Sequence, residues 1–562
     1  MSARGFITDD AFISFRYARS VAEGHGPVFN PGERVEGYTN PLWVYLLASA
    51  AMIGAPPEVV APALGLLAGV GTIVAAYGFA RRVSPPLWAA LIPAALCLSH
   101  DLGAWSISGL ETSLFVFLIT ASAWRGAVER EGDHRPLSVW IAGLAALTRP
   151  EGLLWVAGVL KGRSFRATGV RVGIALVMLI PLQSFRAGYY GDWLPNTFHA
   201  KGAINLGRGL FYLGEFLRTH PGIPLWAPLA ALAGRDWRVA TPLTVYLAYL
   251  VAVGGDFMEF RMMVPVIVLS LALMAGLLPR LRRGMAVVLA LGSVAGTWLP
   301  TMVGYRQASS PYMIESIDEL AASASGWSRV GEFLGAMADP DDLIAVGPAG
   351  AIPFFSRLPA VDMLGLTDRW VARHGVPSSA AAGHERVAPY EYLARRRVVW
   401  LVGQPEVRRD ASAAWEKISV RMPDGTYLIL GTTLNPDSLR AVLAGRGVVV
   451  GAAGREGEEV QGRHAADQVV EGWRLANEGR RGEAHDVALN ALEIARGLGT
   501  SWRWLVREAG LLADETGREP VGEERERKRW KSIPGEIPPA WRSALYDAKG
   551  AGDSLDTTGA AP

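Results

Sequence analysis

Two adjacent carboxylates near the first methionine are residues that could do chemistry. Asp9 and Asp10 open the segment "DDAFISFRYAR", which we predict to be helical from about residue 10 to 23. Neighbouring side chains on a helix point about 100° apart, so the two acids cannot both face one substrate atom. Asp9 and Arg16 do share a face, about 10 Å apart along the axis. That spacing suits a general base at one end and a phosphate ligand at the other.

A purely structural interpretation of this segment is also open. Thr8 or Asp9 would then cap the helix, while Arg16 and Arg19 would lie among lipid headgroups. The loop that follows, "GHGPVFNPGERVEGYTNPLW", favours a binding site, because its glycines and prolines fix tight turns. Three of its side chains can hydrogen-bond a sugar: Glu36, Tyr38 and Asn40.

Further polar segments lie at the ends of apolar runs. They supply Glu111 from "SGLET", Arg149 and Glu151 from "TRPEG", Asp192, Asn196 and Lys201 from "YYGDWLPNTFHAK", and Asp256 and Arg261 from "GGDFMEFR". Charge at a membrane edge is unfavourable unless it is paired or functional, so each is a candidate. Acids at helix starts and structural ion pairs are the competing interpretations.

Two other signals are weak. "GHER", which holds His384 and Glu385, offers one histidine beside one glutamate, too few ligands for a metal site. "VGPAG" (346–350) follows a predicted strand but lacks the full glycine pattern of a phosphate-binding turn. We therefore predict neither a metal centre nor a nucleotide site from these segments.

Composition indicates a membrane protein. Half of the 562 residues are apolar and only 19% are charged. This apolar fraction exceeds what a soluble domain of this length needs to fill its core. The formal net charge of +2 gives no case for binding nucleic acid. Cys97 is the only cysteine, so an internal disulfide or a cysteine metal cluster is excluded.

About ten apolar runs are predicted to span the bilayer. They lie near 58–80, 86–99, 110–125, 137–148, 151–160, 169–184, 222–234, 239–254, 262–279 and 285–302. The segment around Arg149 is predicted to be a helical hairpin, because one continuous span would bury two charges and Pro150 disfavours helix at the residue before it. Alternate loops are rich in Arg and Lys, which places them in the cytoplasm and the polar motifs outside.

The predicted fold class is a mostly α polytopic membrane protein with an external α/β domain and a C-terminal helical extension. The predicted domains are 1–303 (membrane, with the acidic motif and first loop at 6–56), 304–455 (α/β), 456–545 (helical) and 546–562 (disordered tail). Strands are expected at "LIAVG", "LPAVDML", "VVWLVG" and "TYLILG", short apolar runs bounded by Gly, Pro or Asp. The helical extension contains one hairpin of tetratricopeptide type.

The ordered run of motifs resembles a known family. "DDAFISFRYAR", "NPGERVEGYTNPLW", "SGLETSL", "LTRPEGLL", "YYGDWLPNTFHAK" and "GGDFMEFRMMVP" are together similar to GT-C glycosyltransferases related to the terminal arabinofuranosyltransferase of mycobacterial cell-wall assembly. The resemblance implies a multi-pass protein of the bacterial plasma membrane. Its partners would be the bilayer, a polyprenyl-phosphate-linked sugar and a glycan acceptor outside the membrane.

The resemblance also implies roles for the residues above. Asp9 and Asp10 match the family's catalytic acidic motif, and because helix geometry points them in different directions, one is expected to be the base and the other a supporting group. The expected donor-binding residues are Arg16, Glu36, Tyr38, Asn40, Arg149, Glu151, Asp192, Asn196, Lys201, Asp256 and Arg261, and Glu111, His384 and Glu385 are expected on the acceptor side. No cofactor is firmly implied, and a divalent metal remains open.

The start of the chain departs from the family pattern. Only eight residues precede Asp9, too few to cross a bilayer, whereas family members begin with a membrane helix that carries the motif outside. We expect a start placed too late or a degraded copy. A mannose or other hexose donor, a lipid-linked saccharide transporter or flippase, and a catalytically inactive scaffold are the alternative functions.

Overall fold

The computed structural model describes residues 6–201, 204–303, 314–378, 383, 385–402, 416–421, 423, 427–432, 442–444, 446, 450–451, 455–496 and 503–517. Two compact units divide the chain, Met1–Ser412 and Ala413–Pro562. The predicted domain boundaries at 303 and 455 stay a prediction, and the tail at 546–562 lies outside the described residues.

Helices dominate the first unit. They are α1 (Asp9–Ala22), α2 (Pro41–Met52), α3 (Pro57–Val83), α4 (Pro86–Cys97), α5 (His100–Ile107), α6 (Thr112–Glu131), α7 (Leu137–Thr148), α8 (Leu153–Leu160), α9 (Phe165–Phe185), α10 (Asn196–Ala200), α11 (Leu206–Thr219), α12 (Trp226–Leu232), α13 (Trp237–Val253), α14 (Val264–Leu277), α15 (Arg283–Val303), α16 (Ile317–Met337), α17 (Ala351–Ser356), α18 (Arg369–His374) and α19 (Tyr390–Arg395). Each of the ten predicted spans falls on helix. The predicted class, mostly α with an α/β region, is confirmed.

Several of these helices could cross a bilayer. By length and apolar composition four described segments qualify: Pro57–Val83, Phe165–Tyr190, Arg261–Arg280 and Arg283–Pro300. The bent pair α4 and α5, which meet at 53°, would be a fifth. Shorter apolar helices occupy four more predicted spans, at α7, α8, α12 and α13, and the span at 110–125 falls on the 20-residue helix α6. The count of ten spans therefore stays a prediction.

The predicted break at Arg149 is present. Arg149 has extended backbone angles, φ −152° and ψ 139°, and a single 3₁₀ turn, Pro150–Gly152, follows it. The second helix folds back on the first so closely that a Cβ at Gly152 would lie 2.5 Å from the Ala145 carbonyl carbon. The hairpin therefore places Arg149 and Glu151 at its tip.

The basic loops contact one another. Arg130, in the last turn of α6, pairs with Asp236 of the loop before α13 at 3.2 Å, and Arg163 donates to the Arg130 carbonyl at 2.7 Å. Arg82, which closes α3, pairs with Glu131. These contacts gather the loops predicted to be cytoplasmic at one end of the helical bundle.

The described residues between 317 and 402 form an α/β region within the first unit. Its strands are β1 (Ile344–Val346), β2 (Ala360–Asp362), β3 (Val376–Pro377), β4 (Arg386–Val387) and β5 (Trp400–Val402). The buried strand β1 pairs in parallel with β2 and β5, so that Val346 lies beside Asp362 and Val402. Strand β1 is followed in the chain by the turn that precedes α17.

The second unit is described by itself. Strands β6 (Glu416–Arg421), β7 (Tyr427–Thr432) and β8 (Val450–Gly451) form antiparallel pairs, β6 with β7 and β6 with β8. Three helices follow, α20 (Arg455–Asn477), α21 (Arg481–Arg496) and α22 (Arg503–Thr516), around a core that includes Trp473 and Leu492. The predicted helical hairpin corresponds to α20 and α21, and α22 packs against both.

Candidate active site

A cavity of about 560 Å³ gathers polar residues from distant parts of the chain. It is lined by α1, the loop before α2, the start of α6, the hairpin tip at Arg149, α10 and the loop before α14, together with residues of the α/β region. Predicted site residues that line it are Asp10, Tyr38, Asn40, Glu111, Arg149, Glu151, Lys201, Asp256, Arg261 and Glu385. Sequence reasoning missed Arg208 and Arg386, which also line it.

The adjacent aspartates have different surroundings. Asp10 lines the cavity and interacts electrostatically with Arg261. Asp9 is absent from the lining residues, and its carboxylate accepts hydrogen bonds from the Gly350 and Ala351 amides at 3.1 and 2.8 Å. Thr8 stands at the helix start but its side chain makes no cap hydrogen bond. The predicted divergence of the two acids is therefore present, and the cavity side belongs to Asp10.

A buried network of hydrogen bonds and ion pairs connects several residues that line the cavity. Arg149 pairs with Glu111 at 2.8 Å and with Glu151 at 3.2 Å. Asn40 donates to the other Glu111 oxygen at 2.8 Å and to Ser14 of α1 at 3.1 Å. Glu111 is only 4% exposed, and its two carboxylate oxygens accept hydrogen bonds from Arg149 and Asn40, one each. This network holds the hairpin tip, α1 and the start of α6 in one arrangement.

Two further ion pairs flank the cavity. Asp256 accepts from the Arg261 guanidinium at 2.8 Å. Arg208 pairs with Glu385 at 2.7 Å and donates to the Gly254 carbonyl at 3.2 Å. A Cβ at Gly254 would lie 2.6 Å from Arg208 Nε, and Gly254 has φ +91°. Gly254, the first glycine of "GGDF", therefore allows the close approach of Arg208, which belongs to α11.

Ten charged side chains line the cavity, five of each sign: Asp10, Glu111, Glu151, Asp256 and Glu385, with Arg149, Lys201, Arg208, Arg261 and Arg386. The ion pairs already described account for seven of them. Lys201 has no side-chain hydrogen bond or ion pair with any residue that the structure describes. Arg386 donates to the Gly375 carbonyl at 3.1 Å. Lys201 interacts electrostatically with Glu151, and an anion entering the cavity could contact Lys201 without breaking a hydrogen bond to a described carboxylate.

Arg16 contacts backbone carbonyls and the Asn30 side chain, and it does not line the cavity. Its Nε donates to the Phe29 carbonyl at 2.8 Å, and Nη2 donates to Leu358 O at 2.8 Å and to Asn30 Oδ1 at 3.2 Å. Nη1 donates to the Pro353 carbonyl. Burial lowers the pKa of Arg16 to about 9. These contacts attach α1 to the α/β region.

Three further predicted residues, Glu36, Asp192 and Asn196, hold loops and do not line the cavity. Glu36 forms a two-pronged pair with Arg186, at 2.6 and 3.0 Å, and burial raises its pKa. Asn196 donates to the Gly365 and Leu366 carbonyls at 2.8 and 3.0 Å. Asp192 pairs with Arg373 and lies 3.3 Å from His199. His384 lies outside the described residues. Among the described residues no group of three His, Cys, Asp or Glu side chains could hold a metal.

One rim of the cavity is apolar. Phe198 and Tyr249 line it, and they are 62% and 41% exposed. Exposed apolar side chains beside a charged cavity suit a ligand that has an anionic head and a hydrocarbon tail.

Comparison with known proteins gives sequence relatives for part of the chain. A family model described as a domain of unknown function, DUF8728, matches residues 316–447. Over 253 residues the chain is 31% identical to a terminal beta-(1->2)-arabinofuranosyltransferase of Mycobacterium tuberculosis, covering 40% of this chain and 39% of that protein. Over 377 residues it is 30% identical to the protein of the same name from Corynebacterium glutamicum, covering 54% and 53%.

These names confirm the resemblance found in the motifs. The chain spans between 39% and 53% of the length of the curated relatives that it matches. Among solved structures, ArnT from Cupriavidus metallidurans bound to undecaprenyl phosphate aligns with a TM-score of 0.48 and 14% identity, covering 76% of this chain and 94% of that chain. A likeness at that score assigns neither fold nor function.

Proposed function

We propose that the protein is an integral membrane glycosyltransferase of the GT-C type. It would move arabinofuranose from a polyprenyl-phosphate donor to a cell-envelope glycan on the outer side of the membrane, with Asp10 as the general base. The observation that carries the proposal is the cavity that combines Asp10, a cluster of cations and an apolar rim. The names of the two sequence relatives support the choice of sugar.

The proposed reaction needs few protein groups. Asp10 accepts the proton of an acceptor hydroxyl, whose oxygen attacks the anomeric carbon of the donor. The bond between that carbon and the phosphate oxygen breaks, and polyprenyl phosphate leaves with the bonding electrons. The proton then resides on Asp10. Because the phosphate is already a competent leaving group, the protein mainly positions the reactants and stabilises the departing charge.

The donor phosphate is assigned to the cations of the cavity. Lys201 is the first contact, since it lines the cavity together with the exposed Phe198 and forms no close ion pair with a described carboxylate, although it interacts electrostatically with Glu151. Arg149 and Arg261 supply further positive charge from positions fixed by their ion pairs. Arg16, which the sequence predicts to bind the phosphate, lies outside the cavity. Lys201 therefore replaces it as the proposed first phosphate contact. The prenyl chain would leave over Phe198 and Tyr249.

The acceptor is assigned to two carboxylates of the cavity. Glu111 and Glu385 line the cavity, and each is held by an arginine. A carboxylate fixed in this way can accept hydrogen bonds from sugar hydroxyl groups. The outer location rests on the basic loops, which meet at one end of the bundle and are predicted to face the cytoplasm.

Transfer from a panel of donors tests the proposal. The purified protein, in lipid nanodiscs, is given polyprenyl-phosphate arabinofuranose, mannose or another hexose with an arabinan acceptor. We expect transfer of arabinofuranose, and in Lys201→Gln a donor KM raised about 10- to 150-fold, since a charge-assisted hydrogen bond contributes about 1.5–3 kcal/mol. The control is Arg166→Gln, a cation of the predicted cytoplasmic loops that does not line the cavity.

Three results would contradict the proposal. Transfer of mannose or another hexose in place of arabinofuranose would overturn the sugar. Movement of a lipid-linked saccharide across the bilayer without formation of a glycoside would identify a transporter. Absence of both activities in the folded protein would identify an inactive scaffold.

A further inference from the structure

The turn between β1 and α17 binds a carboxylate of the chain itself. In "VGPAGA" the amides of Gly350 and Ala351 point at the two oxygens of Asp9, at 3.1 and 2.8 Å. A Cβ at Gly350 would lie 1.8 Å from the Asp9 carbonyl oxygen and 2.8 Å from Asp9 Oδ2. Only glycine allows this approach. The turn, which sequence reasoning set aside as a nucleotide site, is thus occupied by the neighbour of the proposed base.

The same short helix is held at its other end. Arg16 donates to the Pro353 carbonyl, and to Leu358 O at 2.8 Å, and Arg19 donates to Phe354 O at 2.7 Å. The Arg19 guanidinium also lies 3.6 Å from the centre of the Phe354 ring. Helix α1 therefore contacts both backbone donors and backbone acceptors of this segment. The Asp9 carboxylate accepts from amides at the start of α17, and the guanidinium groups of Arg16 and Arg19 donate to carbonyls within α17 and just after it.

On its opposite side the start of α1 contacts the "SGLET" turn. The Thr8 amide donates to the Ser108 carbonyl at 3.1 Å. Gly109 has φ +81°, and a Cβ there would lie 3.0 to 3.1 Å from atoms of Ile7, Ala11 and Phe15. The first turn of α1 is therefore fixed between two close-packed turns, one from the membrane helices and one from the α/β region.

We infer that Asp9 is a positioning residue, through which the α/β region fixes the place of Asp10 in the cavity. The inference rests on the proposed function. Asp9 does not line the cavity, so it acts through the backbone that it shares with Asp10. A shift of about 1 Å in a reacting group can lower turnover by about 100-fold. The turn at Gly350 therefore becomes part of the transfer machinery without touching a substrate.

Two variants test the inference from different sides. Asp9→Asn keeps the shape of the side chain but places an amide N–H against one of the backbone donors. Gly350→Ala leaves both aspartates in place and forces the backbones apart. Matched controls are Asp341→Asn, at an exposed position, and Gly326→Ala, where a Cβ would meet nothing within 4 Å.

For both test variants we expect kcat per folded molecule to fall about 10- to 100-fold with an unchanged donor KM. The pH dependence of kcat should keep its midpoint, because Asp10 is still the base. A purely structural role would lower the melting temperature and leave kcat of the folded fraction unchanged, and that result would overturn the inference. Loss of turnover in Asp9→Asn with full turnover in Gly350→Ala would also overturn it, and would make Asp9 itself the reacting group.

A second measurement does not depend on turnover. The Gly350 and Ala351 amides should exchange their hydrogens at least tenfold faster in Asp9→Asn than in the natural sequence, since their acceptor is weakened. Peptides from α16 around Gly326 should be unchanged. Equal exchange in the two proteins would overturn the inference even if no glycosyl transfer is found, whereas absence of product with the natural sequence would overturn only the proposed function.

Discussion

At the scale of single residues, Asp9 and Asp10 show how helix geometry separates two identical side chains. Their divergence follows from the sequence, because neighbours on a helix point about 100° apart. Which of the two faces the cavity does not, because the answer depends on Gly350 and Ala351, more than 340 positions away in the chain. Chemical role here is fixed by long-range contact and not by residue type.

The pH dependence of stability follows from buried carboxylates in this region. Burial raises the pKa of Asp9 from 3.8 to about 7 and that of Asp362 from 3.8 to about 6. The folded state therefore binds protons that the unfolded chain has released. This contribution to the free energy of unfolding is fully present below pH 3.8 and is lost as pH rises to about 7.

We therefore expect the melting temperature in detergent to fall as pH is raised from 5 to 8, and to fall less steeply in Asp9→Asn. Thermal unfolding at several pH values measures both slopes. A melting temperature that rises with pH over this window, or equal slopes in the two proteins, would contradict the assignment.

At the scale of elements, the loop between α1 and α2 is fixed by one buried ion pair. Glu36 is 3% exposed, and both of its oxygens accept from Arg186. The Glu36 carbonyl also accepts from the Asn196 amide at 2.9 Å, which connects the loop to α10. This pair therefore couples three segments that surround the cavity.

Removing one partner of that pair should be strongly destabilising. We expect Glu36→Gln to lower the free energy of unfolding by about 3–5 kcal/mol, because the Arg186 charge stays buried without its counter-charge. The double variant Glu36→Gln with Arg186→Met should recover part of the loss. Thermal unfolding measures both, with Glu131→Gln as a control in an exposed pair worth about 0–1 kcal/mol. Equal effects at positions 36 and 131 would contradict this account.

The sequence predicts the positions of helices and strands better than it predicts the contacts between them. The helices at the ten apolar runs, the break at Arg149 and the strands β1, β2, β5 and β7 depend on local hydropathy and on Gly and Pro, which a single stretch of sequence displays. The pair Arg208–Glu385 joins residues 177 positions apart, and nothing local to either one indicates the other. The third helix of the second unit, α22, was likewise not singled out.

At the scale of the whole molecule, the cavity is assembled from many parts that are separate in the chain. Arg149 and Arg261 lie at the ends of apolar helices, Lys201 follows the short helix α10, and the α/β region supplies Glu385. Charged groups that would be unfavourable within a bilayer lie instead at the ends of the helices, where pairing and water stabilise them. An enzyme that joins a lipid-bound donor to a polar acceptor needs this arrangement.

The most direct test of this account is turnover by Asp10→Asn. Donor binding and glycosyl transfer are measured in the same nanodisc preparation, with Asp133→Asn, in a loop that does not line the cavity, as the control. We predict that Asp10→Asn binds the polyprenyl-phosphate sugar as tightly as the natural protein and transfers it about 10²–10⁴ times more slowly. Transfer at the natural rate by folded Asp10→Asn would contradict the assignment of Asp10 as the general base.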